Sequence, residues 1–407
     1  MTMTITTATT SATTAAKRRL RGVLASAAVS LAVTLAGCAT PQASRSTTAL
    51  PLDQAAVQAT DALMAQTTGM AGFLSKRSLV LDPMIDAGTG QQTVATQTLQ
   101  RRVADRLAAG HDTVQILPFR QDNLAKAAYL LTGTLSRQPA GVAGPLTIRL
   151  ALTDVRSGSV VAQASALALT QGVDATPLAY DQDSPVLAQD RVIDGYVRTT
   201  ATPPGQRADA QYLGHLAAAP VIDEATTLYN AARYQEAFTQ YNAAGASPAG
   251  DQLRVLSGIY LSAVKLDRTA EAEQAFAKIV DYGIRNKQLG VKFLFNPGGT
   301  AFWSDPKVSG PYAMWLRQIA GLSTQAGACL DVIGHTSRTG SEPVNDALSL
   351  QRANVVRQRL VAESAVLGER TRASGKGFRE NIIGSGTDNA VDALDRRVEF
   401  RIVGCGA

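Results

Sequence analysis

The fold of the C-terminal part of this chain is decided by one stretch, GHTSRTGSEPVNDALSLQRANVVRQRL, residues 334–360. The apolar, β-branched run CLDVIG at residues 329–334 predicts a strand, and a polar, glycine-containing loop follows it. Asn345 stands where a helix cap belongs. At 100° per residue, Leu348, Val355 and Val356 then fall on one apolar stripe of a helix, with Leu360 at its edge. The sequence therefore predicts a strand, a loop and a helix in this order.

Arg352 falls inside that apolar stripe, between Leu348 and Val356. A guanidinium in such a position needs an anion or a route to solvent. The spacing leaves two interpretations open. The side chain either reaches solvent or pairs with a carboxylate of its own domain such as Glu399, or it binds an anionic ligand. The residues around Arg352 favour the ligand.

These residues resemble the signature of the OmpA-like peptidoglycan-binding domain, N-x2-LS-x2-RA-x2-V-x3-L. The signature is reproduced by Asn345, Leu348, Ser349, Arg352, Ala353, Val356 and Leu360. A G-H-T precedes it, and a G-x-G (Gly375 and Gly377) and an R-R-V-E (residues 396–399) follow. The resemblance covers about residues 290–403, because residues 291–303 look like the family's first strand and the loop after it. It implies a βαβ sandwich with a mixed sheet and binding of the cell-wall peptide without catalysis.

The family recognises diaminopimelate, whose side chain carries a carboxylate and an ammonium on one carbon. A receptor for this group needs one fixed cation and one fixed acceptor, and Arg352 matches the family's cation. The family's acceptor is an aspartate directly after G-H-T, but here that position is Ser337, which brings no charge. Asp395 and Glu342 are the candidates for the missing charge. The resemblance predicts a peptidoglycan site made of His335, Thr336, Ser337, Asn345, Arg352, Arg396 and Arg397.

The bulk composition sets the number of domains and excludes one class of partner. A chain of 407 residues is too long for one core and predicts two or three domains. The formal net charge is +6, but Lys17, Arg18, Arg19 and Arg21 supply four of these charges, and residues 1–37 hold no acid. The remainder carries only +2, so nothing indicates nucleic-acid binding.

An apolar run of 14 residues, 23–36, follows the basic cluster. It is too short to span a bilayer and has the length of a signal-peptide core. The run ends in L-A-G-C, and Cys38 after Leu-Ala-Gly resembles the bacterial lipobox. The resemblance implies a signal peptide at residues 1–37, acylation of Cys38 and a lipid anchor in the outer membrane, facing the periplasm. The alternative is a cleaved soluble protein with an incidental cysteine.

After Cys38, residues 38–51 are rich in Ser, Thr, Pro and Ala and are predicted to be a tether. Residues 52–172 are predicted to be an α/β domain. Helices are expected at residues 52–70 and 94–109, and strands at residues 77–86, 113–119, 128–136, 145–155 and 160–169. The order resembles the small lipoprotein domains related to CsgG, LpoB and FlgO, which implies a periplasmic interaction module. A structural domain without a partner fits the sequence equally well.

Residues 173–208 are rich in Asp, Gln, Pro and Thr and are predicted to be an extended linker. Within residues 209–288, the segment that begins at Arg233 aligns with the segment that begins at Arg268, at an offset of 35 residues. At the same offset, Tyr241 aligns with Phe276. This period is typical of tetratricopeptide repeats, which form a peptide-binding groove or a helical spacer. Two repeats are marginal for a stable stack. We therefore expect either that residues 208–219 supply an extra helix or that the repeats pack on the OmpA-like domain, residues 289–407.

Catalytic and metal-binding patterns are missing from the sequence. The histidines, His111, His215 and His335, are far apart, and no Cys or carboxylate cluster has zinc spacing. We therefore expect no cofactor, no metal and no enzyme activity. His335 is expected to brace its loop by hydrogen bonding rather than to act as a base.

Once Cys38 is acylated, Cys329 and Cys405 remain in a compartment that permits disulfides. Cys329 opens the strand that leads to Gly334, and Cys405 lies just after the strand containing residues 397–403. These two ends meet if the strands are antiparallel neighbours, which the resemblance allows. We predict a disulfide between them, and the alternative is two unpaired thiols.

Together these observations predict a multidomain chain of class α/β (α+β). The predicted function is that of an outer-membrane lipoprotein that binds peptidoglycan and tethers the envelope. The alternative is an accessory subunit of a secretion or flagellar assembly, in which the first domain and the repeats bind envelope proteins.

Overall fold

The computed structural model describes residues 44–67, 76–138, 144–187, 189–384, 386–388 and 391–406. The expected signal peptide and Cys38 lie outside these residues. The described residues, from residue 44 onward, form one compact unit. Among the described residues, none of the helices has both the length and the apolar character needed to cross a membrane.

The N-terminal part of the described chain is a mixed sheet of seven strands. They are β1 (Ser44–Leu50), β2 (Arg77–Leu81), β3 (Ile85–Asp86), β4 (Val114–Leu117), β5 (Tyr129–Ser136), β6 (Leu146–Asp154) and β7 (Val160–Ala168). In space the order is β1-β7-β6-β5-β2-β4, and β3 pairs with β5. The β5-β6-β7 meander is antiparallel, whereas β1 with β7, and β2 with both β4 and β5, are parallel. The strands predicted between residues 77 and 169 are confirmed.

One end of this sheet corrects the predicted tether. Residues Ser44–Leu50 are not free chain but the edge strand β1, which pairs in parallel with β7. Without β1, the outer backbone groups of β7 would stay unpaired, and an unpaired strand edge is a liability that proteins cover. An edge strand needs only backbone hydrogen bonds, so its sequence carries no periodic pattern.

Helices α1 (Leu52–Ala65) and α2 (Val94–Gly110) cover one face of the sheet, and the short α3 (Gln121–Leu124) follows β4. Apolar side chains of both helices pack on the strands. They are Ala55, Ala59 and Leu63 of α1, and Leu99, Val103 and Leu107 of α2. Thr93 caps α2 in a reciprocal capping box with Thr96. The two predicted helices are thereby confirmed within the described residues.

The other face of the sheet corrects the predicted linker. Residues 173–208 hold α4 (Ala179–Asp183) and α5 (Arg191–Ala201), and α6 (Ala210–His215) follows. Ile193 and Tyr196 of α5 pack on the sheet, and the Tyr196 hydroxyl accepts a hydrogen bond from the Gly133 amide at 2.9 Å. Strand β5 is buried on both faces. The first domain therefore needs a second layer of helix, and this segment supplies it.

A run of four helices comes next: α7 (Ala219–Asn230), α8 (Tyr234–Gly245), α9 (Leu253–Lys265) and α10 (Thr269–Asn286). Each packs against the next. The predicted offset of 35 is visible in the structure, because α8 begins directly after Arg233 and α10 directly after Arg268. Tyr241 and Phe276, at equivalent positions, are both fully buried.

The C-terminal part contains β8 (Phe293–Leu294), α11 (Pro306–Ser309), α12 (Tyr312–Gln325), β9 (Cys329–Gly334), α13 (Glu342–Glu363), α14 (Leu367–Arg370), β10 (Thr371–Gly375) and β11 (Arg397–Val403). Its sheet has the order β10-β9-β11-β8. Strands β9 and β10 are parallel, and β11 is antiparallel to both of its neighbours. The predicted strand, loop and helix are confirmed, as is the mixed sheet.

The ends of β9 and β11 carry the predicted disulfide. Cys329 pairs in register with Val403, and this brings Cys405 to the start of β9. The two cysteines are bonded, with their Cα atoms 5.3 Å apart. The last strand is therefore covalently joined to the centre of the sheet.

The four-helix run and the C-terminal sheet share one hydrophobic core. The rings of Phe276 on α10 and Trp315 on α12 stack with centroids 5.1 Å apart. The Trp315 indole N–H also donates a hydrogen bond to the Tyr260 hydroxyl at 2.9 Å. Of the two alternatives expected for a marginal pair of repeats, packing on the C-terminal domain is observed, whereas Tyr212 of α6 lies in the core of the first domain.

Candidate functional site

The loop between β9 and α13 is fixed by Asn345. Helix α13 begins at Glu342 with Ser341 as its N-cap, so the prediction that Asn345 caps the helix is wrong. Asn345 lies in the first turn instead, and its side-chain amide donates to the carbonyl oxygens of Thr339 at 2.8 Å and Ser341 at 3.1 Å. These two bonds hold the loop against the helix that follows it.

Two glycines set how closely α13 approaches the sheet. Gly334 and Gly375 pair in register on β9 and β10. A Cβ atom on Gly334 would lie 1.9 Å from the Ser349 carbonyl oxygen, and one on Gly375 would lie 2.4 Å from the Ser349 hydroxyl. Only glycine permits this contact. It turns the helix so that Ser349, Arg352 and Ala353 face the sheet, while the predicted stripe residues Leu348 and Val355 are only half-buried.

The Arg352 side chain is fully buried and bound to three backbone carbonyl oxygens. Its Nε donates to Gly299 at 2.9 Å, its Nη1 to His335 at 3.0 Å and its Nη2 to Asn296 at 2.9 Å. Within the described part of the chain, no carboxylate forms an ion pair with it, so the alternative interpretation, in which the side chain reaches solvent or pairs with Glu399, is wrong. Burial, together with the charge of Arg396, lowers the pKa of Arg352 to about 10, and the group stays protonated at neutral pH.

A carboxylate that the sequence did not single out, Asp388, lies at this site. The Ser337 hydroxyl donates to its Oδ1 at 2.6 Å, and the Thr339 hydroxyl donates to its Oδ2 at 3.0 Å. Arg396 Nη1 also donates to Oδ1, at 2.7 Å. Burial raises the pKa of Asp388, but these hydrogen bonds and the Arg396 charge together lower it by more. The pKa of Asp388 therefore lies below its ordinary value.

The two acids expected to replace the missing charge are committed elsewhere. Asp395 accepts hydrogen bonds from the backbone amides of Ile382, Ile383 and Gly384. Glu342 forms an ion pair with Arg379 at 2.8 Å. Nothing in the spacing joins Asp388 to Ser337, because 51 residues separate them and only the fold brings them together.

Arg396 completes this cluster from the opposite side. Its side chain is buried, its Nε donates to the Phe295 carbonyl at 3.2 Å, and its guanidinium carbon lies 5.3 Å from the centroid of the Trp303 ring. Arg396 thus forms an ion pair with Asp388, whereas Arg352 only feels the charge of that carboxylate, which raises its pKa. The side chains of Arg352 and Arg396 are almost completely enclosed, whereas that of Asp388 is 28% exposed.

The remaining predicted residues form a separate group. Arg397 Nε donates to Glu399 Oε2 at 2.8 Å, and the other oxygen of Glu399 lies 3.4 Å from His335 Nε2. His335 Nδ1 faces Glu380 at 3.9 Å, and neither ring nitrogen has a hydrogen-bond partner among the described residues. Burial and the Arg397 charge lower the pKa of His335. The loop is braced by the backbone of His335, which donates to Arg397 and accepts from Arg352.

His335, Glu380 and Glu399 are side chains of types that bind metals, and their ligand atoms lie within 4.8 Å of one another. Each ring nitrogen faces a different carboxylate. The three groups therefore form a chain through the imidazole rather than a ring around one ion. Thr336 lies beside them and is buried, with its amide donating to the Gly377 carbonyl at 2.9 Å.

Comparison with known proteins matches the C-terminal part of the chain. Residues 309–393 match the OmpA family. The chain is 38% identical over 95 residues to outer membrane protein A of Shimwellia blattae, a match that covers 21% of this chain and 39% of that protein. The chain thus spans about two fifths of the curated relative's length. The C-terminal part of the chain is an OmpA-like domain.

Two solved structures are also similar. The peptidoglycan-associated lipoprotein from Burkholderia pseudomallei is 22% identical, with a TM-score of 0.24, over 29% of this chain and 94% of that one. The periplasmic domain of Helicobacter pylori MotB is 19% identical, with a TM-score of 0.23, over 28% of this chain and 69% of that one.

Proposed function

We propose that this protein binds peptidoglycan non-covalently through its OmpA-like domain and performs no catalysis there. The observation that carries the proposal is the Asp388 carboxylate, held by Ser337 and Arg396 beside the buried Arg352. One fixed acceptor and a fixed positive charge are the two features that a diaminopimelate side chain requires. The match of residues 309–393 to the OmpA family supports the same function.

In this proposal the exposed face of Asp388 accepts the ligand ammonium. Arg352 forms no ion pair with a carboxylate among the described residues, and its positive charge lies in a poorly solvated place. That charge attracts the ligand carboxylate, and it acts more strongly there than it would in water. Asn345 and the backbone of His335 keep the loop in position.

The same proposal includes a lipid anchor in the outer membrane. The L-A-G-C sequence makes Cys38 the acylated residue and directs the described domains to the periplasm, where the protein would tether the envelope to the wall. In cells, Cys38→Ala should leave unprocessed precursor without acyl label. A variant that is still acylated and membrane-bound would end this part of the proposal. The N-terminal domain and the helical repeats remain available for other envelope proteins.

The peptidoglycan part is tested by retention of the chain, made without residues 1–38, on purified sacculi. Sacculi whose stem peptides carry diaminopimelate should retain it, and sacculi with lysine at that position should not, because lysine lacks the second carboxylate. Arg352→Ala should lose retention. Arg372→Ala removes an equal charge from an exposed position on β10 and should keep it.

Circular dichroism must show that the Arg352→Ala protein is folded, since its side chain holds three carbonyl groups. If it does not fold, Arg352→Lys takes its place, because lysine keeps the charge but not the forked donor geometry. Equal retention on both kinds of sacculi would refute recognition of diaminopimelate. Full retention by a folded Arg352→Ala protein would refute the site.

A further inference from the structure

A cavity lies between the helical repeats and the OmpA-like domain, and neither Asp388 nor Arg352 lines it. Its volume is about 380 Å³, and its lining is mainly apolar. Tyr260 reaches it from α9, Tyr312 and Trp315 from α12, and Trp303 from the loop after β8. A cavity of this size with several aromatic walls is typical of small-ligand sites.

Lys292 lines this cavity, just before β8. Its side chain is buried, and its amine has no hydrogen-bond partner among the described residues. An ammonium group carries three donors, so a buried one without partners is rare and needs an explanation. The burial also lowers the pKa of Lys292 to about 8, which leaves the amine mostly protonated at neutral pH.

The nearby acids are already engaged by other groups. Asp183 pairs with Lys265 at 2.9 Å and accepts from the Tyr229 hydroxyl at 2.7 Å. Asp181 accepts a hydrogen bond from the Gln92 amide at 2.8 Å. Neither acid forms an ion pair with Lys292 in the described structure. The Lys292 amine therefore supplies an unused cationic donor at an otherwise apolar wall.

We propose that this cavity binds a carboxylate that carries an apolar body. The carboxylate lies on the Lys292 amine and accepts its hydrogen bonds, and the apolar body packs among the four aromatic rings. An aromatic cage without a lysine would suit an organic cation. Here Lys292 repels a cation. The lining holds two further lysines, Lys265 and Lys307, and two carboxylates, Asp183 and Asp305, so the net charge of the lining is positive.

This chemistry has two sources, a polypeptide C-terminus that ends in an apolar residue and a free fatty acid. N-acetylphenylalanine represents the first source and octanoate the second. N-acetylphenylalanine amide has the same apolar body without the charge. Trp303 also contacts Arg396 of the proposed peptidoglycan site, but the lining of the cavity includes neither Asp388 nor Arg352, and the inference does not depend on that site.

Tryptophan fluorescence reports directly on this cavity, because Trp303 and Trp315 both line it and are the two tryptophans of the chain. The full chain, in a non-ionic detergent without aromatic rings, is titrated with each compound. We expect a saturable change with at least one acid, and at least tenfold weaker binding of the amide. Whether the peptide mimic or octanoate binds more tightly identifies the source.

The matched variants are Lys292→Met, which keeps the length of the side chain but removes its charge, and Lys278→Met, which makes the same change at an exposed position of α10. Lys292→Met should weaken binding of the acid at least tenfold, and Lys278→Met should not change it. Three results would overturn the proposal: no saturable change with either acid, equal binding of acid and amide, or unchanged binding in Lys292→Met. The comparison of acid with amide needs no variant, so it decides even if Lys292→Met fails to fold.

Discussion

The Ser337 hydroxyl donates a hydrogen bond to the Asp388 carboxylate at 2.6 Å. Ser337 stands directly after G-H-T, where the OmpA-like family has its aspartate. In this chain the carboxylate comes from a different loop and is held at that position by a serine. The charge that is missing from the signature is therefore present in the fold, supplied from 51 residues further along.

Asp388→Asn should weaken retention on sacculi by about tenfold or more, because the ligand ammonium loses a charge-assisted hydrogen bond. The variant is nearly isosteric and keeps acceptor capacity toward Ser337. It also removes the charge that pairs with the buried Arg396, so the free energy of unfolding of the variant should fall as well. The measurement is retention by the folded variant. Unchanged retention would show that Asp388 is not the acceptor.

Ser337→Asp should weaken binding, although restoring the family's aspartate favours the opposite expectation from sequence alone. The new carboxylate would stand about where the Ser337 hydroxyl now meets Asp388, so two like charges would share Arg396. Ser337→Ala serves as the control, because it removes one hydrogen bond and adds no charge. Retention that rises in Ser337→Asp and stays unchanged in Ser337→Ala would contradict this prediction.

Opening the disulfide with Cys405→Ser should lower the free energy of unfolding by roughly 4 kcal/mol or less, since the bond closes a long loop in the unfolded chain. Cys405 lies near the chain end and is exposed, so the substitution leaves the core unchanged. Urea unfolding of wild type with and without reductant is the matched comparison. If reductant destabilises the Cys405→Ser protein as much as it does wild type, the effect does not come from this bond.

Lys292 should make stability depend on pH above neutrality. Burial lowers its pKa from 10.5 to about 8, whereas the unfolded chain keeps the higher value. Between these two values the unfolded chain binds the proton and the folded chain does not. The contribution of Lys292 to the free energy of unfolding should therefore rise with pH in this window, by about 3 kcal/mol in all, and the difference between wild type and a Lys292 variant isolates it.

The neighbouring charges do not obscure that test. Asp181 and Asp183 raise the pKa of Lys292, and Arg397 lowers it. Asp181, whose own pKa is raised by burial to about 7, is already ionised at the lower end of the window. Lys292→Met should be more stable than wild type at about pH 7 and should lose the rise between about pH 8 and about pH 10. Urea unfolding at these values measures it, and an undiminished rise in the variant would contradict the assignment.

The sequence predicted most elements correctly wherever one pattern was strong. The apolar runs from β5 to β7 and the spacing of Leu99, Val103 and Leu107 in α2 gave elements of the right type. The prediction of a linker at residues 173–208 failed because it relied on the polar composition of the segment and overlooked the helical spacing within it. Asp190 caps α5, and Val192, Ile193 and Tyr196 have helical spacing, but the surrounding Asp, Pro and Thr obscured them. The doubly buried β5 was the signal that a second helical layer was needed.

At the candidate site, the sequence placed Arg352 on the inward face of its helix but gave neither its partners nor Asp388. Backbone carbonyl oxygens such as those of Asn296 and Gly299 have no sequence signature, because every residue has one. The rotation of α13 about its axis buries Ser349 in place of Leu348. This rotation depends on how closely Gly334 and Gly375 let the helix approach the sheet. Such a distance is a property of packing, and no residue spacing encodes it.

The core shared by the four-helix run and the OmpA-like domain has a mechanical consequence. Phe276 and Trp315 stack across the boundary, and the Trp315–Tyr260 hydrogen bond closes it. A pulling force applied at the candidate site would therefore pass into α9 and α10 through packed side chains, without first extending a linker. The distance between the candidate site and the four-helix run is set by side-chain packing, and under load the two would move together until that core breaks.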